Sequence, residues 1–340
     1  MRKFAFAPIV LAAFAVGAAV THRIAKAFFL ITAFALLLFG SIAASHAAGS
    51  TWVSAGGSPD NDCLSPAASC REIVTALSKT DPGGTIHVLS GDYLSFYVTK
   101  AVQIIGDGIT SSLVVIGGSA AITVQAGPSD VVSIRGLNIN QNDSGGGITF
   151  TSGAALHVED CIIVRTIYNP GLNIVPNGAA TGGVPTEITV RHTVVRGNGL
   201  GNVIIKPTNG VSVAALFDGV LMQEGLYGIR ADDSAGSGLI RVDVRNSIAK
   251  GNTNNGFLAV GTGTAAVHFM LDRSTAENNA TYGAVATGSN AFMIVTNSTL
   301  MGNGTGLAQL SSATVASLGN NTINFNTTNI SGTITAITGK

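Results

Sequence analysis

Apolar side chains recur along most of this chain in short alternating runs, broken by Gly, Asn, Ser and Thr. The stretch Arg241–Val260 (RVDVRNSIAKGNTNNGFLAV) shows the unit. Val242, Val244, Ser247 and Ala249 mark inward positions of two short strands, with Asn246 at the bend between them. Asn252 opens a turn, Gly256 closes it, and Phe257 and Ala259 start a third strand. The unit repeats from the anchors Ile134, Val158, Val190, Phe217, Val244, Leu271, Val295 and Leu318, at spacings of 24, 32, 27, 27, 27, 24 and 23 residues. A period in this range, built from short β segments, predicts a solenoid. No single turn can bury its own apolar face, so each must stack on the next.

Three columns support that phase. Eight residues past the anchor stand Asn142, Asn198, Asn252, Asn279, Asn303 and Asn326, and only the coils of Val158 and Phe217 break the series. Stacked amides can bond to the coils on either side, so the column predicts an asparagine ladder. Two residues past the anchor stand Gly136, Asp160, His192, Gly219, Asn246, Arg273, Asn297 and Asn320. Apart from Arg273, these are types that tolerate positive φ, which predicts a tight left-handed bend. One residue past the anchor, Arg135, Glu159, Arg191, Asp218, Arg245 and Asp272 alternate in sign. In coils about 4.8 Å apart they would form a surface ladder of opposite charges, each exposed pair contributing ~0–1 kcal/mol.

From roughly Thr51 to the C-terminus these columns resemble the right-handed parallel β-helix of the pectin-lyase-like superfamily. The resemblance implies an all-β chain of about ten coils. That fold hosts lyases, hydrolases, esterases, epimerases, adhesins and phage tailspikes, so function has to be argued from particular residues. In the superfamily, active sites commonly lie on the outer face of the strand after the Asn turn.

Composition fits: 43 of 340 residues are Gly and 11% are charged, which suits a Val/Ile/Leu core with polar turns. Net charge is zero but uneven. Arg2, Lys3, Arg23 and Lys26 precede residue 48 without any acid, which leaves the remainder net acidic and argues against nucleic acid as a partner. Residues 1–48 hold two apolar runs, Phe4–Val20 and Ala27–Ala44, followed by Ser45-His46-Ala47. They read as a signal peptide that engages the export machinery, with a membrane anchor as the alternative. The protein is therefore expected in the periplasm, at the cell surface or outside the cell. Residues 49–340 form a single domain, with an N-terminal cap over 49–83 and coils over 84–340.

In an exported chain, Cys63 and Cys70, seven apart in a Pro/Ser/Asp loop, are expected to form a disulfide. Cys161, at an inward position, reads as a buried free thiol. Ser69 and Glu72 have capping-box spacing. They predict a short helix with Ile73, Val74 and Leu77 on its apolar face, stopped by Asp81-Pro82-Gly83-Gly84 and covering the open first coil.

The outward positions of the strands after the Asn turn are Thr149, Asn173, Ile204, Arg230, Leu258, Val285 and Ala308. Two residues further stand Thr151, Val175, Lys206, Asp232, Val260, Thr287 and Leu310. Lys206, Arg230, Asp232 and Asp233 are the charged cluster of this face. Arg230 and Lys206 are candidate catalytic residues or partners of a uronate carboxylate. Asn173, Arg230, Asp232 and Asp233 are candidate ligand-binding residues. Asp232 and Asp233 offer oxygens to Ca²⁺, and the sequence calls for no other cofactor. The alternative reading of the cluster is a surface ion-pair group beside a Gly-rich turn. Asp160 and His192, one coil apart, are explained by the bend column. Tyr168, Tyr227 and Tyr282 precede turn closures in differing registers. Motifs of the fold's enzymes are incomplete: Gly91 and Tyr93 match an esterase-like start but Ser95 replaces its acid, and the epimerase Asp-Pro-His-Asp is absent.

The rest of that face is apolar (Ile204, Leu258, Val260, Val285, Leu310), which predicts an exposed stripe of the kind that marks interfaces, with a turn or the C-terminal tail folded over it as the alternative. The expected function is an exported, non-catalytic β-helix presenting a surface to a polysaccharide or an envelope protein, or to a second copy in a homo-oligomer. The alternative is a lyase-type or glycosidase-type enzyme acting on acidic glycans.

Overall fold

The computed structural model describes residues 48–338 apart from 107–110, 115–119, 141–144, 167 and 179–182. The expected signal peptide up to residue 47, and Asn142 of the expected asparagine column, fall outside the described residues. Among the described residues no helix is long and apolar enough to cross a membrane.

Among the described residues three all-parallel sheets of twelve, ten and ten strands stack coil on coil, in keeping with the expected number of turns. A typical coil gives one strand to each. Val213–Asp218 lies in the first sheet, Leu221–Gln223 in the second and Tyr227–Asp232 in the third. The anchors pair in one row, Ile134–Val158–Val190–Phe217–Val244–Leu271–Val295. The last anchor is one residue off, because Val295 pairs with Ser317 rather than Leu318. The bend absorbs the extra residue. Gly319 takes the positive φ there instead of Asn320, and Thr322 is back in phase with Thr299. The other seven bend residues have φ of 44–67°, Arg273 included (45°). Position in the coil thus overrides residue preference at Arg273.

Inward Val, Ile, Leu and Phe fill a continuous core in which Phe150, Phe217, Phe257 and Phe269 are the largest fully buried side chains of the regular coils. Burying each such side chain contributes roughly 1.5–3 kcal/mol. Cys161 belongs to this core as a free cysteine. Its thiol is pushed up to about 12, chiefly by burial.

The asparagine row lies inside the turn. Nδ2 of Asn252 donates to Oδ1 of Asn279 (2.8 Å), Asn279 to Asn303 (2.9 Å) and Asn303 to Asn326 (2.9 Å). Each of these four amides also bonds to a backbone N–H and a carbonyl of the preceding coil. Asn279 donates to the Ala249 carbonyl one coil back, and its Oδ1 accepts the Asn252 N–H. The two gaps in the sequence column are filled. In the Val158 coil Thr166 donates to Asn198 Oδ1 (2.9 Å). In the Phe217 coil the position falls on Gly225, and Asn202 occupies the space a side chain would take. It accepts from Asn198 Nδ2 (3.0 Å) and donates to Asn252 Oδ1 (2.9 Å). A Cβ on Gly225 would come within 2.7 Å of Asn202 Nδ2.

A hydroxyl row runs parallel to it. Thr193, Ser247, Ser274 and Ser298 each accept the backbone N–H of the residue in the preceding coil. The charge column is in register, but its ion pairs are shared with neighbouring residues. Arg135 is 3.1 Å from Asp160 and 4.0 Å from Glu159, and Arg245 pairs with Asp243 on its own strand.

Helix α1 (Ile73–Lys79) packs on the first strands through Ile73, Ala76 and Leu77, and Val74 is exposed. Its N-cap is Glu72, without a side-chain cap bond, rather than Ser69. Ser69 Oγ instead bonds to Ser54 Oγ (2.6 Å), and Cys70 bridges Val53, so this segment is held extended until residue 72. The helix ends at Lys79, before the Asp81–Gly84 signal, because Thr80 already starts the first coil's strand Thr80–Val88. Cys63 and Cys70 form a disulfide beside it.

Replacing Asn279 by Ala strands the Asn252 amide and two buried backbone groups. We expect a loss of about 3 kcal/mol in urea unfolding, since each buried group left unpaired costs ~1–3 kcal/mol. Reducing the Cys63–Cys70 disulfide is expected to lower stability by about 2–3 kcal/mol, from the small loop it closes. Thermal unfolding with and without dithiothreitol measures it.

Candidate functional site

The third sheet builds its outer face from period-two alternation. Ile229 and Ala231 point into the core and are fully buried, so Arg230 between them points out. Register then lines up Thr149, Asn173, Ile204, Arg230, Leu258, Val285 and Ala308 in one row. Ile204 separates Asn173 from Arg230, which leaves Asn173 two coils away from the charged group.

Arg230, Lys206 and Asp232 come together. Arg230 donates from Nε (3.1 Å) and Nη2 (2.6 Å) to Asp232 Oδ2, and Lys206 Nζ lies 3.6 Å from the same oxygen. The other oxygen, Oδ1, accepts the Ser234 N–H (2.9 Å). The Arg230 guanidinium also sits over the Tyr227 ring, 5.4 Å from its centroid. The Asp232 side chain has no solvent exposure, while those of Arg230 and Lys206 are 30% and 39% exposed. A buried anion therefore holds two half-open cations. Burial alone would raise the Asp232 carboxyl. The hydrogen bonds from Ser234 and the charge and hydrogen bonds of Arg230 outweigh it, so the group sits below the usual carboxylate range.

Asp233 is fully buried and turns away. Its Oδ1 accepts the Gly263 N–H (2.8 Å) in the next coil's turn, and its Oδ2 has no hydrogen-bond partner among the described residues. Gly263 is required there, as a Cβ would come within 2.4 Å of the Asp233 carbonyl oxygen. The adjacent carboxylates thus serve different neighbours. The described residues contain no group of three or more His, Cys, Asp or Glu placed to hold a metal ion.

The apolar stripe is not the exposed patch that alternation implied. Leu258, Val285 and Ala308 are buried in a small cluster separate from the main core, with Tyr227, Val260, Tyr282 and Leu310 packed against it. Tyr227 and Tyr282 occupy one row, with Asn255 between them, rather than differing registers. Both rings lean onto the stripe, and Tyr227 also backs Arg230. Sequence offered a signal for this in the Tyr-Gly pair that opens the strands Tyr227–Asp232 and Tyr282–Thr287. Asp160 and His192 lie 3.8 Å apart and both have positive φ, as their bend positions require.

No protein-family model and no curated protein matches the sequence. Among solved structures the chain is similar to the A-module of the Azotobacter vinelandii mannuronan C-5 epimerase AlgE6. Identity is 15% over 74% of this chain and 71% of that one, with a TM-score of 0.49. It is also similar to pectate lyase Pel9A, at 13% identity over 85% and 77% of the chains and a TM-score of 0.39.

A folded-state pKa below the unfolded one means that Asp232 stabilises the fold fully above the ordinary carboxylate range. That contribution is lost as pH falls through the lowered value. The stability difference between wild type and Asp232→Asn should be constant above about pH 5 and shrink below about pH 4. Urea titrations at a series of pH values check this.

Proposed function

We propose that the chain is an exported β-helix that binds acidic polysaccharide on the outer face of its third sheet without transforming it. One observation carries the reading: two half-exposed cations, Arg230 and Lys206, are held by a single buried carboxylate. Such a pair is preorganised to receive a uronate carboxylate, for which an arginine fork is the geometric match. The same observation favours binding over chemistry. Proton transfer needs a group that reaches substrate and can change its protonation state near working pH. Asp232 has no exposure and is held ionised, Asp233 is buried behind it, and arginine stays protonated. Asp232 positions the cations, and Asp233 holds the next coil's turn at Gly263. Ca²⁺, if it acts here, would bridge a glycan carboxylate to the face rather than sit in a cage of protein carboxylates. Export is supported by the leader and by the Cys63–Cys70 disulfide, a bond that persists in oxidising compartments.

Titrating polyuronate oligosaccharides into the full chain tests the proposal. Arg230→Ala should weaken binding about tenfold, and wild-type binding should fall as salt rises. Turnover of the glycan that Asp232→Asn abolishes, seen as new unsaturated or epimerised residues, would replace this reading with the enzymatic one.

A further inference from the structure

A second concave surface lies on the outer face of the first sheet, away from the Arg230 group. It is a groove of about 380 Å³. Two adjacent rows line it. Arg241, His268 and Phe292 stack in one, and Asp243, Met270 and Ile294 in the other. Outward positions of a solenoid strand are ordinarily polar, yet Met270, Phe292 and Ile294 are 40, 39 and 38% exposed side by side. Three contiguous large apolar side chains in water, rimmed by charge, need an occupant. The groove's volume falls in the small-ligand range of roughly 300–1,000 Å³. The patch is far smaller than the roughly 800 Å² per partner of a stable protein interface.

The rim says what kind of ligand. Arg241 makes no ion pair among the described residues and stands next to His268 in its row, so one end of the groove is open to an anion. Asp243, two residues along the same strand, is held by Arg245 and has the remaining lone pairs of its carboxylate to accept hydroxyl protons. Phe292 is fixed by an edge-to-face contact with His268, centroids 5.4 Å apart and planes at 87°, and Met270 and Ile294 extend the apolar floor. An anion receptor, a hydroxyl acceptor and an apolar floor are thus set within one small groove.

We propose that this groove is a separate binding site for a carboxylated sugar ring. The carboxylate is received by Arg241, the hydroxyls donate to Asp243, and the C–H face of the ring lies on Phe292. The site is independent of the one on the third sheet.

Galacturonate oligosaccharide, a neutral galactose oligosaccharide and benzoate are titrated calorimetrically into the full chain. The variants are Arg241→Ala, Phe292→Ala, Phe292→Leu and Arg230→Ala. All the groove substitutions are on exposed side chains, and Phe292→Leu keeps apolar bulk while removing the ring. We expect Arg241→Ala and both Phe292 variants to weaken galacturonate binding at this site about tenfold. The neutral oligosaccharide and benzoate should bind at least tenfold more weakly than galacturonate. A galacturonate site that persists in Arg230→Ala and vanishes in Arg241→Ala supports the groove whatever becomes of the third-sheet site. The proposal is overturned if Arg241→Ala and the Phe292 variants retain wild-type affinity and stoichiometry. It is equally overturned if benzoate or the neutral sugar binds as tightly as galacturonate.

Discussion

The amide ladder inside the turn is the constraint on which the rest of this structure depends. A parallel solenoid gains from stacking, but flat, similar coils could slide past one another by a residue. In an apolar core such a slip would turn every inward side chain outward. Buried amides remove that freedom. From Asn252 to Asn303 each amide donates to the amide of the next coil and bonds to the backbone of the preceding one, so the phase of a coil is fixed by bonds that fail together. The row from Thr166 through Asn198, Asn202, Asn252, Asn279 and Asn303 to Asn326 is unbroken because Thr166 serves in the column without an amide and Asn202 enters from outside it. The hydroxyl row at Thr193, Ser247, Ser274 and Ser298 repeats the device at the other corner.

Once phase is fixed, outward residues two dozen apart in sequence become neighbours, and chemistry can be built across coils. Lys206 and Arg230 meet at Asp232 only because Ile205 pairs with Ala231. Arg241, His268 and Phe292 line one side of a groove for the same reason. Both sites use exposed cations with a carboxylate held in place by neighbours.

Much of the fold was legible in the sequence because a solenoid writes its tertiary contacts as a period. The anchors, the bend column and most of the asparagine row could be named from spacing. What failed did so locally. The last anchor slipped by one because a Gly-Asn pair shares the bend. Ser69 was drawn off capping duty by a hydroxyl contact with Ser54, fifteen residues away. The apolar outer row looked exposed because alternation reports which way a side chain points, and says nothing of what packs over it.

By itself, then, the sequence determined the coil, its phase and the inward and outward faces, since all of these follow from periodicity and the short-range preferences of Gly, Asn and β-branched residues. Tertiary structure decided how neighbouring coils share partners. It sent Asn202 into the space above Gly225 and turned Asp232 and Asp233 toward different coils. It buried Leu258 and Val285 under tyrosines and left Met270, Phe292 and Ile294 open. Those outcomes depend on side-chain volumes and on the competition among donors and acceptors a few ångströms apart, which no count along one strand contains.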